Sequence, residues 1–388
     1  MKKKQIFFAF LVCLLLAPLW MWMAWLVTPK KKLVSAIIDK STLTSLGQEH
    51  ISFNWILNNL RYTKTSTLGY DPSRDYFGFK PLKKEKFNLT GLERFTDAQL
   101  EQLSNDCDLV YYTDTYGIYV NEWYRKRNIG ERSGVIYGGM SDEDITYLSK
   151  MKLKNKLIIT EFNTIGSPTS PVIRGKFERL FGLKWSGWTC RFFSSFDTSI
   201  NLELPKWMVH NYKERHNGKW PFTGAGIAFI KNKGDVVILE DGKDLNFPVP
   251  LIKLTSEGKD ADVNDNTKYP YWIDIIEPDN KTNKVLANFE INVTEKGAEI
   301  LNRYSLPAVI PAVTKSRSNH YPFYYFSGDF CDNDVDFSSS YYKGISVFKN
   351  LLYSSDDLME RESFFWNFYK PLMSGIINDY YVHQHLKK

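Results

Sequence analysis

Apolar positions are distributed along this chain in three ways, and each predicts a different kind of element. The first is one long run. Residues 6–28, IFFAFLVCLLLAPLWMWMAWLVT, carry no charge, and at about 1.5 Å per residue they are long enough to cross a hydrocarbon layer of about 30 Å as a helix. Trp20, Trp22 and Trp25 crowd its end, where indole rings favour the headgroup boundary, and a membrane helix tolerates Pro18. The second pattern is a series of short apolar runs that predict buried strands: 33–39 (LVSAIID), 107–112 (CDLVYY), 134–137 (GVIY) and 156–160 (KLIIT). Helical periodicity separates them. Ile51, Trp55, Ile56, Leu57 and Leu60 give one apolar face over 48–62, residues 96–105 give a short helix, and Ser141 followed by Asp144 opens another that runs to about 151. The third pattern begins near residue 222. Strand-like runs fall at 224–230, 235–240, 271–276, 285–291 and 308–313, and an aromatic helical stretch covers 357–377, with Pro371 inside it. Residues 256–283 are rich in Gly, Asp, Asn and Lys and predict a loop or insertion.

These patterns divide the chain into an N-terminal anchor (1–32), an α/β portion (33–240) and a β-rich or α+β portion (241–388) that either stands alone or completes the same domain. Strand, helix, strand over 134–160 predicts a βαβ unit and a parallel sheet. Asp39, Asp114, Gly138 and Glu161 then lie at the carboxyl ends of their strands, the edge where open α/β sheets bind ligands. Lysines flank the anchor on both sides, Lys2–Lys4 before it and Lys30–Lys32 after it. The charge count therefore does not orient it, and a short N-terminus ahead of a hydrophobic segment points to a single-pass signal-anchor with the folded part outside the cytoplasm. A cleaved signal peptide fits less well, since the apolar run exceeds an h-region of about 7–15 residues and no A-x-A-like site follows. A cytoplasmic domain held at the inner leaflet is the remaining topology.

Composition adds limits. The net charge is +6, and the lysines beside the anchor account for much of it, so membrane lipid rather than nucleic acid is the expected partner. Aromatic residues make up 15% of the chain. They supply core packing, and surplus Tyr and Trp also stack on sugars. Beyond Cys13, only Cys107, Cys190 and Cys331 occur, with no CxxC spacing. That is too few for a disulfide framework, and it gives no metal-ligand pattern and no cofactor signature.

Candidate chemistry is concentrated in a few places. Gly138-Gly139 follows a predicted strand, but the acidic GGMSDED that it opens would repel a phosphate. No G-x-S-x-G elbow is present. Glu161 occupies a strand-to-helix junction, where a carboxylate serves as acid, base, ligand or cap. The stretch 324–334, YYFSGDFCDND, brings Asp329, Asp332 and Asp334 close together, either for acid–base or cation chemistry or as Asx turns. His50 follows Glu49 near the same sheet edge as Asp39. Trp185, Trp188 and Trp207 with Arg191 form an aromatic and basic patch suited to a sugar or a lipid headgroup, or simply to the core. The candidate catalytic set is thus Glu161, Asp329, Asp39, Asp114 and His50, and the candidate ligand-binding set is Trp185, Trp188 and Arg191.

The succession LVYYTD (109–114), GVIYGGMSDEDITYL (134–148), KLIITEFNT (156–164) and RGKFERLFGLKWSGW (174–188) resembles the class I glutamine amidotransferase-like domains of flavodoxin type, which occur in bacterial envelope proteins. The resemblance spans about residues 33–240 and rests on layout. It implies a flavodoxin-like parallel sheet and a ligand cleft at its carboxyl edge. Active members of the family place a cysteine nucleophile at the elbow after the strand, where this chain reads Glu161-Phe162-Asn163, so glutaminase activity is not implied. The expectation is a membrane-anchored envelope protein that binds or scaffolds a surface polymer, such as a polysaccharide, or a partner protein. The alternative is a carboxylate-dependent hydrolase acting on an envelope glycan.

Overall fold

A computed structural model describes residues 5, 7, 8, 15–125, 133–232, 234–260, 262–318, 320–354 and 356–386. The predicted span falls partly outside them, since residues 1–4, 6 and 9–14 are not described. Helix α1 (Ala17–Val27) covers its second half and rises about 16 Å, short of the roughly 30 Å of a hydrocarbon layer. Among the described residues, no helix is long and apolar enough to cross a membrane. The end of α1 docks on the folded part of the chain. The Trp25 indole donates to Asn58 O at 2.9 Å, and the Arg61 guanidinium lies 3.9 Å from the centre of its ring.

The chain then forms a mixed α/β structure. Strand β1 (Ser35–Asp39) leads through helix α2 (Ile51–Asn59) to β2 (Phe77–Pro81) and β3 (Phe87–Leu89). Helix α3 (Asp97–Asp106) precedes β4 (Leu109–Asp114), and α4 (Asp142–Leu153) precedes β5 (Leu157–Glu161). After α5 (Pro171–Phe181) come β6 (Leu183–Phe193), β7 (Gly226–Lys231) and β8 (Val236–Glu240). The remaining strands are β9 (Leu251–Leu254), β10 (Thr267–Lys268), β11 (Ile273–Pro278), β12 (Asn283–Glu290), β13 (Val309–Ser316) and β14 (Phe323–Phe326).

Ten of these strands form one sheet in the order β10-β9-β12-β13-β14-β5-β4-β1-β2-β3. Its centre is parallel, with β14, β5, β4, β1 and β2 running the same way; the flanks are antiparallel. Both faces of the centre are covered. Ile37, Tyr111, Ile159 and Phe326 enter one core, and Ile38, Tyr112, Ile158 and Tyr325 enter the other, which is why these strands read as continuous apolar runs rather than alternating ones. Strand β14 comes from the C-terminal stretch and pairs with β5, so residues from both sides of position 240 share this sheet. A second sheet, β8-β7-β6-β11, stands beside it. It is tied to the loop after β14 by the Asp274 N–H, which donates to Ser327 O at 2.7 Å.

Two local expectations change. Residues 135–137 do not join the parallel sheet; they pair with Ile118–Tyr119 in a two-stranded ladder, and β5 pairs with β4 instead. Three residues that are exposed or half-buried cannot fill an interior position of a sheet covered on both faces. The double glycine serves this ladder. A Cβ on Gly138 would lie 2.6 Å from Gly117 Cα, so close backbone approach, not a phosphate, requires it. In the C-terminal helical stretch the α-helix widens into a π turn at Phe365–Tyr369 before continuing as Lys370–Leu386. Pro371 has no N–H to give its preceding turn, and the π turn accommodates that loss.

Candidate functional site

The parallel order brings the carboxyl ends of β1, β4, β5 and β14 side by side, and each ends in or just before an acidic residue: Asp39, Asp114, Glu161 and Asp329. A cavity of about 530 Å³ opens over this edge. Its acidic floor consists of Glu49, Asp114, Asp329 and Asp332, and aromatic side chains including Phe162, Trp185, Trp207, Tyr271 and Trp272 stand around it. The Phe162 and Trp272 rings lie parallel within 11°, with centroids 6.2 Å apart.

Asp39 and His50 meet, but beneath the cavity. Both are fully buried. His50 Nδ1 lies 2.5 Å from Asp39 Oδ2, and Nε2 lies 2.7 Å from Pro72 O. The carbonyl can only accept, so Nε2 carries a hydrogen and a single proton is shared along the Nδ1–Asp39 contact. Asp39 Oδ1 accepts from the Ser41 N–H at 2.9 Å. The pair thus fixes the turn that presents Ser41 and Glu49 to the cavity.

Glu161 is also fully occupied. Its carboxylate accepts from the Tyr111 hydroxyl at 2.5 Å and from the Cys331 N–H at 3.1 Å. Burial, with Asp329 nearby, pushes its pKa well above the usual carboxylate range against those two donors. It holds the 327–335 loop on the sheet and does not line the cavity.

The floor differs in kind. The Asp114 carboxylate accepts from the Tyr116 N–H at 2.5 Å; burial raises its pKa well above the usual range, with Asp39 and Asp332 adding to the shift. Glu49 is raised in the same way, by burial and then by Asp39 and Asp332, and its Oε2 is buried with no hydrogen-bond partner among the described residues. Asp329 is raised by burial, then by Asp332 and Asp114, against the opposing Arg361. Among the described residues, Asp332 is the floor acid in a direct ion pair. Its Oδ2 is 3.2 Å from Arg361 Nη1, and its Oδ1 accepts from Gln48 Nε2 at 2.8 Å. Arg361 in turn stacks 3.8 Å from the centre of the Tyr271 ring, with Arg191 at 4.7 Å from the same ring. Arg191 also pairs with Glu203 at 2.5 Å. Carboxylates crowded in this way favour their protonated forms and can donate as well as accept.

Trp185 and Trp188 part company. Trp185 lines the cavity and donates from Nε1 to Asp274 Oδ1 at 3.1 Å; Trp188 packs in the opposite core against Tyr304. Residues three apart on a strand point to opposite faces. Asp274, buried behind Trp185, is pushed up to about 7 by burial, against the opposing Tyr325, Asn163 and Trp185 donors.

Glu49, Asp332, Tyr271 and Arg361 are the residues that sequence spacing did not single out for the site. Asp332 stood in the acidic stretch already noted, but nothing in the pattern separated it from Asp334, which is exposed. Tyr271 and Arg361 reach the floor only through tertiary contacts.

No family model matches the chain, and no curated protein matches it. Two solved structures show a loose likeness. One is Agd3, a carbohydrate deacetylase, at 9% identity and a TM-score of 0.32, with 77% of this chain covered; the match spans only 29% of the Agd3 chain. The other is a protein from Bacteroides uniformis described as ThuA-like, at 10% identity and a TM-score of 0.36, covering 88% of this chain and 92% of that one. Both scores are low, and neither likeness bears on the chemistry of the site.

Proposed function

We propose that this chain is a membrane-anchored envelope protein that binds a glycan in the cavity at the carboxyl edge of its sheet, on a scaffold of amidotransferase-like layout. One observation carries the reading: aromatic side chains stand over a floor of crowded carboxylates in a space large enough for a few sugar rings. Flat aromatic faces stack on the C–H faces of sugars, and carboxyl groups bond their hydroxyls. Residues 6–28 supply the anchor, on the strength of their length and lack of charge.

The test uses the full chain in mild detergent, titrated with neutral and charged oligosaccharides while tryptophan fluorescence is followed. Binding that Trp272→Ala weakens about tenfold, close to 1.4 kcal/mol, is the expected result; the melting temperature of the variant serves as the folding control. Failure of every oligosaccharide to bind would end the proposal. A second reading, hydrolysis of the bound glycan, is favoured by the raised pKa values of Glu49, Asp114 and Asp329, since a general acid must hold its proton near neutral pH. Release of reducing ends by the full chain, abolished in Asp329→Asn, separates that reading from binding alone.

A further inference from the structure

The floor of the cavity has more acid than its surroundings can neutralise. Glu49, Asp114, Asp329 and Asp332 face it, with Glu122 and Glu203 higher on its walls, whereas Lys231 is the only basic residue lining it among the described residues. Two guanidinium groups stand close behind, and each has an acid of its own: Arg361 pairs with Asp332 and Arg191 with Glu203. Among the described residues, Glu49 and Asp329 have no such ion-pair partner, and the Oε2 of Glu49 is buried without a hydrogen bond. Folding has therefore gathered carboxylates at the cost of mutual repulsion and left one of their oxygens unmet, while the opening above is lined with rings whose faces attract cations. The aromatic lining suits an extended organic cation, whose charge and ring faces it can meet together.

From this we infer that the glycan recognised here is cationic: a polymer or oligomer of amino sugars with free ammonium groups, its ammonium seated among Glu49, Asp114 and Asp329 and a ring face against Trp272. The inference rests on the glycan-binding reading of the same cavity. A consequence follows from the crowding. In the free protein, burial and like charges favour the protonated carboxyls. An arriving ammonium favours the ionised form, so binding releases protons to the solvent.

The experiment compares glucosamine tetramer with N-acetylglucosamine tetramer on the full chain at pH 7, by calorimetry in two buffers of different ionisation enthalpy. The two ligands share a backbone and differ in charge. At least about tenfold tighter binding of the glucosamine tetramer is expected, weakening with salt and accompanied by proton release. The double variant Glu49→Gln, Asp329→Asn should weaken the glucosamine tetramer by at least about tenfold and bring the ratio of affinities near one, with its melting temperature as the folding control. Equal or tighter binding of the acetylated tetramer by the unaltered chain, or binding of glucosamine without proton release, overturns the inference and leaves the glycan-binding reading standing. Absence of binding by either tetramer, with other neutral oligosaccharides also silent, overturns both.

Discussion

Asp144, fully buried, and Asp329, half-buried, are both acids close to the parallel strands, and they are treated in opposite ways. Asp144 opens helix α4 and has a full set of partners. Its Oδ2 lies 2.7 Å from Lys40 Nζ and accepts from the Ser141 N–H, and its Oδ1 accepts from the Tyr112 hydroxyl at 3.0 Å. Lys40 is itself fully engaged. Burial pulls its ammonium pKa down, but Asp144 and Glu93 more than offset this and leave it raised. Asp329 has the cavity on one side, other acids on the other, and no side-chain hydrogen bond among the described residues. The contrast teaches how to sort buried charge. A carboxylate whose partners all belong to the chain is part of the framework, whereas one kept against its own repulsion and facing a cavity awaits a partner from outside.

Three measurements would break or sharpen that contrast. The largest effect is expected from pH. Acids such as Glu49, Asp114, Glu161, Asp329 and Asp274 have folded-state pKa values raised above their unfolded ones. A raised group leaves stability intact below its unfolded pKa and subtracts from it as pH climbs to the folded pKa. Asp274 rises from 3.8 to about 7, so it alone removes about 1.4 kcal/mol per pH unit across that window. Urea unfolding at pH 5 and pH 7 should show the protein less stable at pH 7 by several kcal/mol. Equal stability at the two values would mean that the acids are not crowded as described.

The next effect tests the framework side. Lys40→Met strands a buried Asp144, and we expect a loss of about 3–5 kcal/mol of unfolding free energy with oligosaccharide affinity retained in the folded fraction. A cost under about 1 kcal/mol would remove the distinction between the two acids. The smallest effect has the reverse sign. Asp329→Asn relieves repulsion without changing shape, so at pH 8 the variant should be more stable by about 1 kcal/mol while it loses ligand affinity. Destabilisation there would place Asp329 in the framework after all.

Much of the fold was legible in the sequence, for a simple reason. Runs such as LVYYTD and KLIIT are continuous because both faces of their strands are buried, and the Ser141–Asp144 capping box announces α4 from local spacing alone. The GVIY strand was misplaced because apolar content reveals a strand but not its neighbour. That neighbour was set by a backbone contact with Gly117, seventeen to twenty residues away in sequence.

The candidate site divides along the same line. Sequence determined which strands end in acids, because strand ends and their turn residues are local features, and it placed Asp39, Asp114 and Glu161 at one edge; only the pairing of β14 with β5 brought Asp329 there. Tertiary structure alone decided their roles. Hydrogen bonds from Tyr111 and Cys331 made Glu161 a strut, and His50 did the same for Asp39, while Asp114 and Asp329 were left facing the cavity with Glu49. Partners from distant parts of the chain carry no periodic signature, and burial of the whole assembly is what raises or satisfies each charge.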